Sequence, residues 1–553
     1  MADIKKFLFA IPVSAIVISV FYYFHFKYST NIPIFDDYDA VIHFLSSYID
    51  TGTLSGKLMW IITQHREHRY IFPRIFLLIY HGIIGEINFK VITFIGHLAL
   101  LGIYLLIIKV TVLKSRFRDN LDSALIIASL TLLFFNIQYW EGSTWAIASF
   151  FFYFGMLFSF LSIYLLTKNI NNNFVWALLF ALLAVCTSGN GLLVFIIGAA
   201  LIYFRDGFSR QLYYWLSAAA ITYFLYFLDY VSPSDQTPVS VVIFQKPVKL
   251  ILFYLSYLGS VFKQIPEYGG TISILSGMLL IALLIFLTIK KYYKTNPAIF
   301  GFILFLFLTI LTSSLARVDV GFISRYNIFS TLLIICFSIS VIEKYSARIK
   351  HIHLFIFLFL CLGFNAYSFF SSIGEMKKMK EILTEGAILA KAGDYSLLIY
   401  PDSSTVKNLV NSGINKNIYN LPDFSYEDFL SDDVNIPSKP VTADITNTFN
   451  NFTNTDKYIY INGWVNSNER TNNSKIYIVL MSDKNTFTLK TNTMRRKELK
   501  IENKQNVTDN TSYSIALLKK QMNIPSGIYD LGIYVERDNG KYSYIITGDK
   551  IIF

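Results

Sequence analysis

The chain has 553 residues, 54% of them hydrophobic and only 15% charged, with a mean hydropathy of +0.47. That apolar share exceeds the ~45–50% of ordinary soluble domains, which excludes a purely soluble protein. The +11 net charge then reads as the basic connectors of a membrane protein rather than as affinity for nucleic acid.

Length alone leaves room for two or three domains. The three cysteines, Cys186, Cys336 and Cys361, fall inside apolar runs, which argues against a disulfide framework and against a thiolate zinc site. Met1–Lys6 followed by the apolar run Phe7–Phe24 has the outline of a signal peptide. The run is long and ends in aromatic residues without a small-residue cleavage site, so an uncleaved span is expected.

Apolar runs long enough to cross a bilayer, ~17–25 residues each, fall at about 7–24, 89–109, 121–138, 145–166, 174–188, 190–204, 213–230, 271–289, 298–315, 326–342 and 353–370. The stretch 174–204 is broken by Ser188-Gly189-Asn190-Gly191 and is read as two short spans. About eleven transmembrane helices result. With a cytoplasmic N-terminus, the inner connectors 1–6, 110–120, 167–173, 205–212, 290–297 and 343–352 are all basic, as the positive-inside rule requires. The parity holds if Lys249–Phe262, flanked by Pro247 and Pro266, lies on the outer surface instead of crossing.

After Phe370 the texture changes. Residues 373–392 form a polar, Lys/Glu-bearing helical stretch, and 402–438 is rich in Asn, Asp and Ser. From about Val441, short β-type runs alternate with Asn/Asp/Gly turns: Tyr458–Val465, Lys475–Met481, Thr486–Lys490, Tyr513–Leu518, Ile528–Val535 and Tyr542–Ile546. This spacing predicts an antiparallel β-sandwich. The expected organisation is a polytopic α-helical membrane body over 1–372, an α/β connecting region over 373–440, and an extracytoplasmic sandwich over 441–553.

Charge at the edge of a membrane is costly and points to function. The first outer loop, 25–88, carries Asp36, Asp37 and Asp39, then His65, Glu67, His68, Arg69 and Arg74. Later outer connectors add Trp140 and Glu141, Asn190 in the helix break, and Arg317, Arg325 and Tyr326. Acids and arginines converging there suit transfer of a group from a phosphate leaving group. A carboxylate deprotonates the acceptor hydroxyl and guanidiniums neutralise the departing phosphate. Each residue also has a plainer role: aspartates solvating a loop, Trp140 in an interfacial belt, Asn190 breaking a helix, arginines snorkelling to headgroups. His65 and His68 at i,i+3 do not match the His-Glu-x-x-His zinc pattern. No cofactor is required by these residues, and a divalent metal is left open. Trp464, in Ile461-Asn462-Gly463-Trp464, is expected in the sandwich core.

The acidic Asp36-Asp37 pair after the first span, the order of spans and the outward tail resemble a GT-C-type integral membrane glycosyltransferase. In layout the chain is similar to the bacterial and phage-encoded enzymes that add glucose to O-antigen, and Glu67-His68-Arg69 and Pro73-Arg74 look like features of a bacterial subgroup. The resemblance implies a polyprenyl-phosphate-linked donor such as undecaprenyl-phosphate-glucose, a polysaccharide acceptor such as O-antigen of lipopolysaccharide, and inversion at the anomeric carbon. It implies Asp36 or Asp37 as base, with Asp39 competing, and Arg69, Arg74 and Arg325 on the donor phosphate. His65, Glu67, His68, Trp140, Glu141, Asn190, Arg317 and Tyr326 would line the substrate site. It also implies a bacterial inner membrane location with the C-terminal domain periplasmic. A polyprenyl-phosphate sugar synthase and a small flippase would act in the same pathway.

Other classes fit less of the chain. A flippase or transporter of lipid-linked sugars is expected to show paired broken spans, and no internal repeat is present. An O-antigen polymerase would place a large loop between late spans. A host-interaction protein would not need so many spans.

Overall fold

The computed structural model describes residues 10–111, 120–168, 171–233, 236–425, 429–431, 445–467, 474–495, 510–537 and 541–553. The N-terminal basic residues Lys5 and Lys6, and Lys114, Arg116 and Arg118 of the second inner connector, lie outside this set. The chain is mostly helical, 66%, with a C-terminal β-sheet region. It divides into two compact units: Met1–Met376 with Ser412–Tyr419, and Lys377–Asn411 with Asn420–Phe553.

In the first unit, α1 (Ala10–Tyr28) leads into a π-helical turn at Tyr38–His43, then α2 (Phe44–Asp50), α3 (Leu54–Ile62) and α4 (Ile71–Ile84). The body follows as α5 (Phe89–Thr111), α6 (Asn120–Phe134), the short α7 (Trp140–Thr144), α8 (Ala146–Leu166), α9 (Asn171–Thr187) and α10 (Leu193–Asp206). It continues with α11 (Arg210–Phe227), α12 (Val239–Gln245), α13 (Pro247–Leu258), α14 (Gly269–Ile289), α15 (Pro297–Arg317) and α16 (Asn327–Lys344). In their described residues, all eleven expected runs are largely helical. Among the described residues eight helices are long and apolar enough to cross a membrane; the expected runs 121–138 and 174–188 form shorter apolar helices, and α11, at the expected run 213–230, is not one of the eight. The segment expected on the outer surface falls on α13, bent by 103° from α12, and the bent pair together is long and apolar enough for one broken span. Pro247 at the first turn of α13 forces the break, because proline lacks the N–H that would continue α12.

Burial separates inner from outer helices. The best apolar window of α8 is 83% buried, whereas those of α1 and α14 are only 11% and 22% buried. Side chains such as Ile16, Leu279 and Ile289 stand more than half exposed, an apolar perimeter that water would not tolerate and that is compatible with a multi-pass membrane protein. At the centre, α5 and α8 approach so closely that a Cβ on Gly96 would stand 2.7 Å from the Ser149 backbone. That approach sets the start of α8, and with it Trp145, beside the first loop.

The expected span 353–370 and the polar stretch 373–392 form one helix, α17 (His351–Ala392), of 42 residues. Neither segment contains a proline, and Gly393, at φ +97°, stops the helix. Residues 412–419, from the expected connecting region, belong to the first unit: Tyr419 donates to the Asn31 carbonyl at 2.9 Å and Ile87 N–H to that of Ile418 at 2.7 Å.

In the second unit, α18 (Ser403–Asn415), of which 403–411 belong here, precedes eight strands. These are β1 (Ile445–Asn454), β2 (Tyr458–Ser467), β3 (Ser474–Met481), β4 (Thr486–Lys490), β5 (Asn492–Arg495), β6 (Asn510–Leu518), β7 (Ile528–Arg537) and β8 (Tyr542–Ile552). They form two four-stranded sheets, ordered β1-β2-β6-β5 and β4-β3-β7-β8, with all pairings antiparallel. Ile459, Ile461 and Ile515 of one sheet share a core with Ile478, Leu531 and Ile533 of the other. Six strands fall where the alternation placed them; β1 and β5 were not expected. Trp464 is not in the core. Inward positions on β2 go to Ile461, Gly463 and Val465, so the period of two turns Trp464, half-buried, to the other face.

Candidate functional site

The first loop is fastened by its own carboxylate. Asp37 is 1% exposed; its Oδ2 accepts from Ile34 N–H at 3.0 Å and its Oδ1 from Ile147 N–H at 2.9 Å. It thereby caps an otherwise unpaired donor at the start of α8. Burial pushes its pKa up to about 8 against the pull of those two bonds. The fastening leaves Phe35 at φ +46°, a left-handed conformation that an aromatic residue rarely adopts, with its ring 5.5 Å from that of Trp145. Asp36 follows, half-buried and turned into a cleft.

The opposite wall is the tight turn His65–His68, closed by paired backbone bonds of 2.8 and 2.9 Å. Arg66 within it sits at φ +49°, a second strained position. The turn is held from elsewhere in the chain. Gly189 N–H donates to His68 Nδ1 at 3.2 Å, and Tyr226 Oη donates to the Glu67 carbonyl at 2.9 Å. Because Nδ1 accepts, a neutral His68 carries its proton on Nε2, which stands 3.9 Å from Glu67 Oε1.

Two further arginines close the cleft. Arg317, at the end of α15, reaches Glu67 Oε1 at 3.2 Å, and Gln236 donates to Oε2 at 3.3 Å. Arg325 donates to Glu141 Oε1 at 2.7 Å, Ser324 Oγ donates to Oε2 at 2.9 Å, and the guanidinium lies 4.8 Å from the Trp145 ring. The lining includes Asp36, Arg66, Glu67, His68, Tyr70, Trp145, Arg317, Arg325 and Tyr326. Its free interior, about 30 Å³, takes a water or two.

Burial raises the Asp36 pKa above the ordinary carboxylate range, with Arg66 and Arg325 opposing. Burial also lowers His68, with Glu67 opposing, so its imidazole is neutral near pH 7. For Glu67 burial acts upward, but His68 and Arg317 outweigh it and leave the pKa below the usual value. The arrangement therefore offers one carboxylate poised as a base, a neutral imidazole N–H, and three guanidiniums.

Of the residues expected from sequence, Asp36, Glu67, His68, Arg317, Arg325 and Tyr326 meet here, and Glu141 braces Arg325. The others lie outside the lining. Asp39 is half-buried in the π-helical turn. Arg69 donates to the carbonyls of Tyr226 (2.8 Å), Ile62 (3.0 Å) and Leu228, and Arg74 to those of Ile61 (3.2 Å) and Thr63. Both arginines thus satisfy the orphan carbonyls at helix ends. His65 is half-buried against Tyr70, ring centroids 5.2 Å apart. Trp140 is 8% exposed, in the core. Asn190 lines a neighbouring cavity with Ser188, Thr309 and Phe152.

Sequence reasoning passed over Arg66, Tyr70 and Trp145 as site residues. Arg66 stood within the quoted Gln64–Arg69 run and carried a signal; the two aromatics had none beyond abundance in the chain. Among the described residues no group of three or more His, Cys, Asp or Glu side chains is arranged to hold a metal. Comparison with known protein families, curated proteins and solved structures gives no match.

Proposed function

We propose that the chain is a GT-C-type glycosyltransferase that moves a sugar, with glucose the first choice, from a polyprenyl-phosphate donor to a hydroxyl of a cell-surface polysaccharide. The observation that carries the reading is the cleft itself. One raised-pKa carboxylate, Asp36, shares the cleft with guanidiniums delivered by two separate connectors, Arg66 from the first loop and Arg317 and Arg325 from the segment between α15 and α16. At rest Glu67 and Glu141 pair with Arg317 and Arg325, so the phosphate of a phosphodiester-linked sugar would take over guanidiniums that those glutamates hold.

In this reading Asp36 takes the proton from the acceptor hydroxyl, whose oxygen forms a bond to the anomeric carbon. The bond from that carbon to the phosphate oxygen breaks, and polyprenyl phosphate leaves with its added charge facing Arg66, Arg317 and Arg325. Attack opposite the leaving group inverts the anomeric configuration. The narrow interior requires the walls to part for the donor, and the partly exposed Glu67–Arg317 pair is the seam that opens. The eleven helical runs cross the bacterial inner membrane with the N-terminus cytoplasmic, which puts the first loop and the C-terminal unit in the periplasm.

The test supplies membranes with radiolabelled polyprenyl-phosphate sugar and acceptor polysaccharide. Asp36→Asn is expected to abolish transfer; transfer at the wild-type rate would overturn the proposal. A reporter fused after Phe553 is expected to read periplasmic, and a cytoplasmic reading would overturn the topology.

A further inference from the structure

The second unit holds a pocket of its own, about 420 Å³ and open on one side, within the range of ligand sites. It forms where α17 ends. Gly393 turns the chain at φ +97° and presents Asp394, whose Oδ1 accepts from Ser396 N–H at 3.0 Å and whose Oδ2 accepts from Tyr458 Oη at 3.0 Å. Burial acts to raise this carboxyl's pKa, but the Ser396 and Tyr458 bonds outweigh it and keep it below the ordinary range. Ser396 adds a side-chain bond to the same carboxylate, which leaves one of its lone pairs for a further donor. Tyr395 is fixed by its hydroxyl bond to Asn411 Oδ1 at 2.9 Å. On the far rim Lys407 projects from α18, a helix anchored by the fully buried Val406 and Val410.

We propose that this pocket binds a neutral saccharide. A positioned carboxylate accepts from one sugar hydroxyl, the Lys407 ammonium and the Ser403 hydroxyl donate to others, and the Tyr395 and Tyr458 rings offer flat faces for a pyranose. The mixed lining disfavours other ligands. An anion meets Asp394 and a cation meets Lys407, each at a cost in the absence of compensation, whereas a polyhydroxylated neutral ring satisfies both. The open side admits one residue of a chain whose remainder stays in solvent. That the saccharide is the acceptor polymer rests on the transferase reading above; that the pocket binds sugar does not.

The experiment uses the full-length protein in lipid nanodiscs on an array of short neutral, phosphorylated and sialylated oligosaccharides. Wild type and Asp36→Asn are both expected to retain neutral oligosaccharides. Asp394→Ala and Lys407→Ala are each expected to weaken retention ~10-fold or more, the effect of losing a charge-assisted hydrogen bond. Lys407 is exposed, so its variant folds as wild type does. No retention by wild type, unchanged retention in either variant, or a preference for charged oligosaccharides would overturn the site. Undiminished transfer by Asp36→Asn would instead remove the transferase reading and leave retention intact.

Discussion

Asp36 and Asp37 are adjacent in sequence but differ in environment, so replacing each with asparagine separates structure from chemistry. Both Asp37 oxygens accept backbone N–H bonds, from Ile34 and Ile147. An asparagine there must turn its NH₂ toward one of these donors, leaving a buried N–H facing another N–H. A protonated carboxyl would not do this, because its hydroxyl oxygen still accepts; the expected loss is therefore independent of the charge on Asp37. One lost hydrogen bond to a charged or acidic group plus one orphaned buried donor amounts to about 2–4 kcal/mol. Asp36 makes no such backbone contact in the described structure, so Asp36→Asn is expected to leave stability within about 0.5 kcal/mol of wild type. Thermal unfolding of the detergent-purified variants, followed by tryptophan fluorescence, measures the first effect; sugar transfer from the lipid donor measures the second. Asp37→Asn should melt several degrees lower and, at temperatures where it is folded, retain transfer. Asp36→Asn should melt as wild type and be inactive. An Asp37→Asn protein as stable as wild type would refute the fastening role, and an inactive but stable one would return Asp37 to the list of bases.

Three further outcomes follow. Burial raises Asp37 to about 8 in the folded chain, so the folded state holds a proton that the unfolded state releases near the ordinary carboxyl value. The associated stability is full below that value and is lost as pH rises through about 8; melting midpoints between pH 5 and 9 should fall with pH in wild type and fall less in Asp37→Asn. Arg69→Ala, which removes donors to three backbone carbonyls, should cost about 1–3 kcal/mol and leave the donor KM unchanged at temperatures where the protein is folded; a raised KM with normal stability would place Arg69 on the substrate instead. Arg325→Lys keeps the charge but loses the planar fork over Trp145, and should lower kcat ~10-fold or more. A double-mutant cycle with Glu141→Gln should give a coupling of about 1–3 kcal/mol, and additivity would show that the pair does not act as a unit.

The helical body was legible because long apolar runs leave a strong mark on sequence: every such run became largely helical. The sandwich strands were legible where one face enters the core, as in Lys475–Met481. β1 was missed because it is an edge strand in which buried positions are few and Asn and Thr fill the rest, so that Ile445–Asn454 reads as loop. β5 is only four residues long and leaves too short a pattern to detect. The expected boundary at residue 372 met no proline, the single Gly374 did not stop the helix, and polarity alone does not end one.

The site was legible as a set of residues and illegible as roles, and the reason is physical. Composition and position mark Asp36, Asp37, Arg69, Arg74, Arg317 and Arg325 as charges that need partners beside long apolar helices. What they bond is decided by packing between segments up to 250 residues apart, as in Arg317 with Glu67. A guanidinium near a helix end finds orphan carbonyls as readily as it finds a phosphate, and the two uses leave the same letter in the sequence. Within the first loop, backbone strain marks the cleft. Phe35 and Arg66, the two non-glycine residues with positive φ in the first loop, immediately precede the cleft acids Asp36 and Glu67. Such strain costs of order 1–3 kcal/mol at each position. It turns two carboxylates toward one narrow space. Under the transferase proposal, Glu67 and Glu141 then act as placeholders that hold Arg317 and Arg325 in position until a phosphate arrives. Replacing either glutamate by glutamine should loosen the arginines and raise the donor KM more than it lowers kcat.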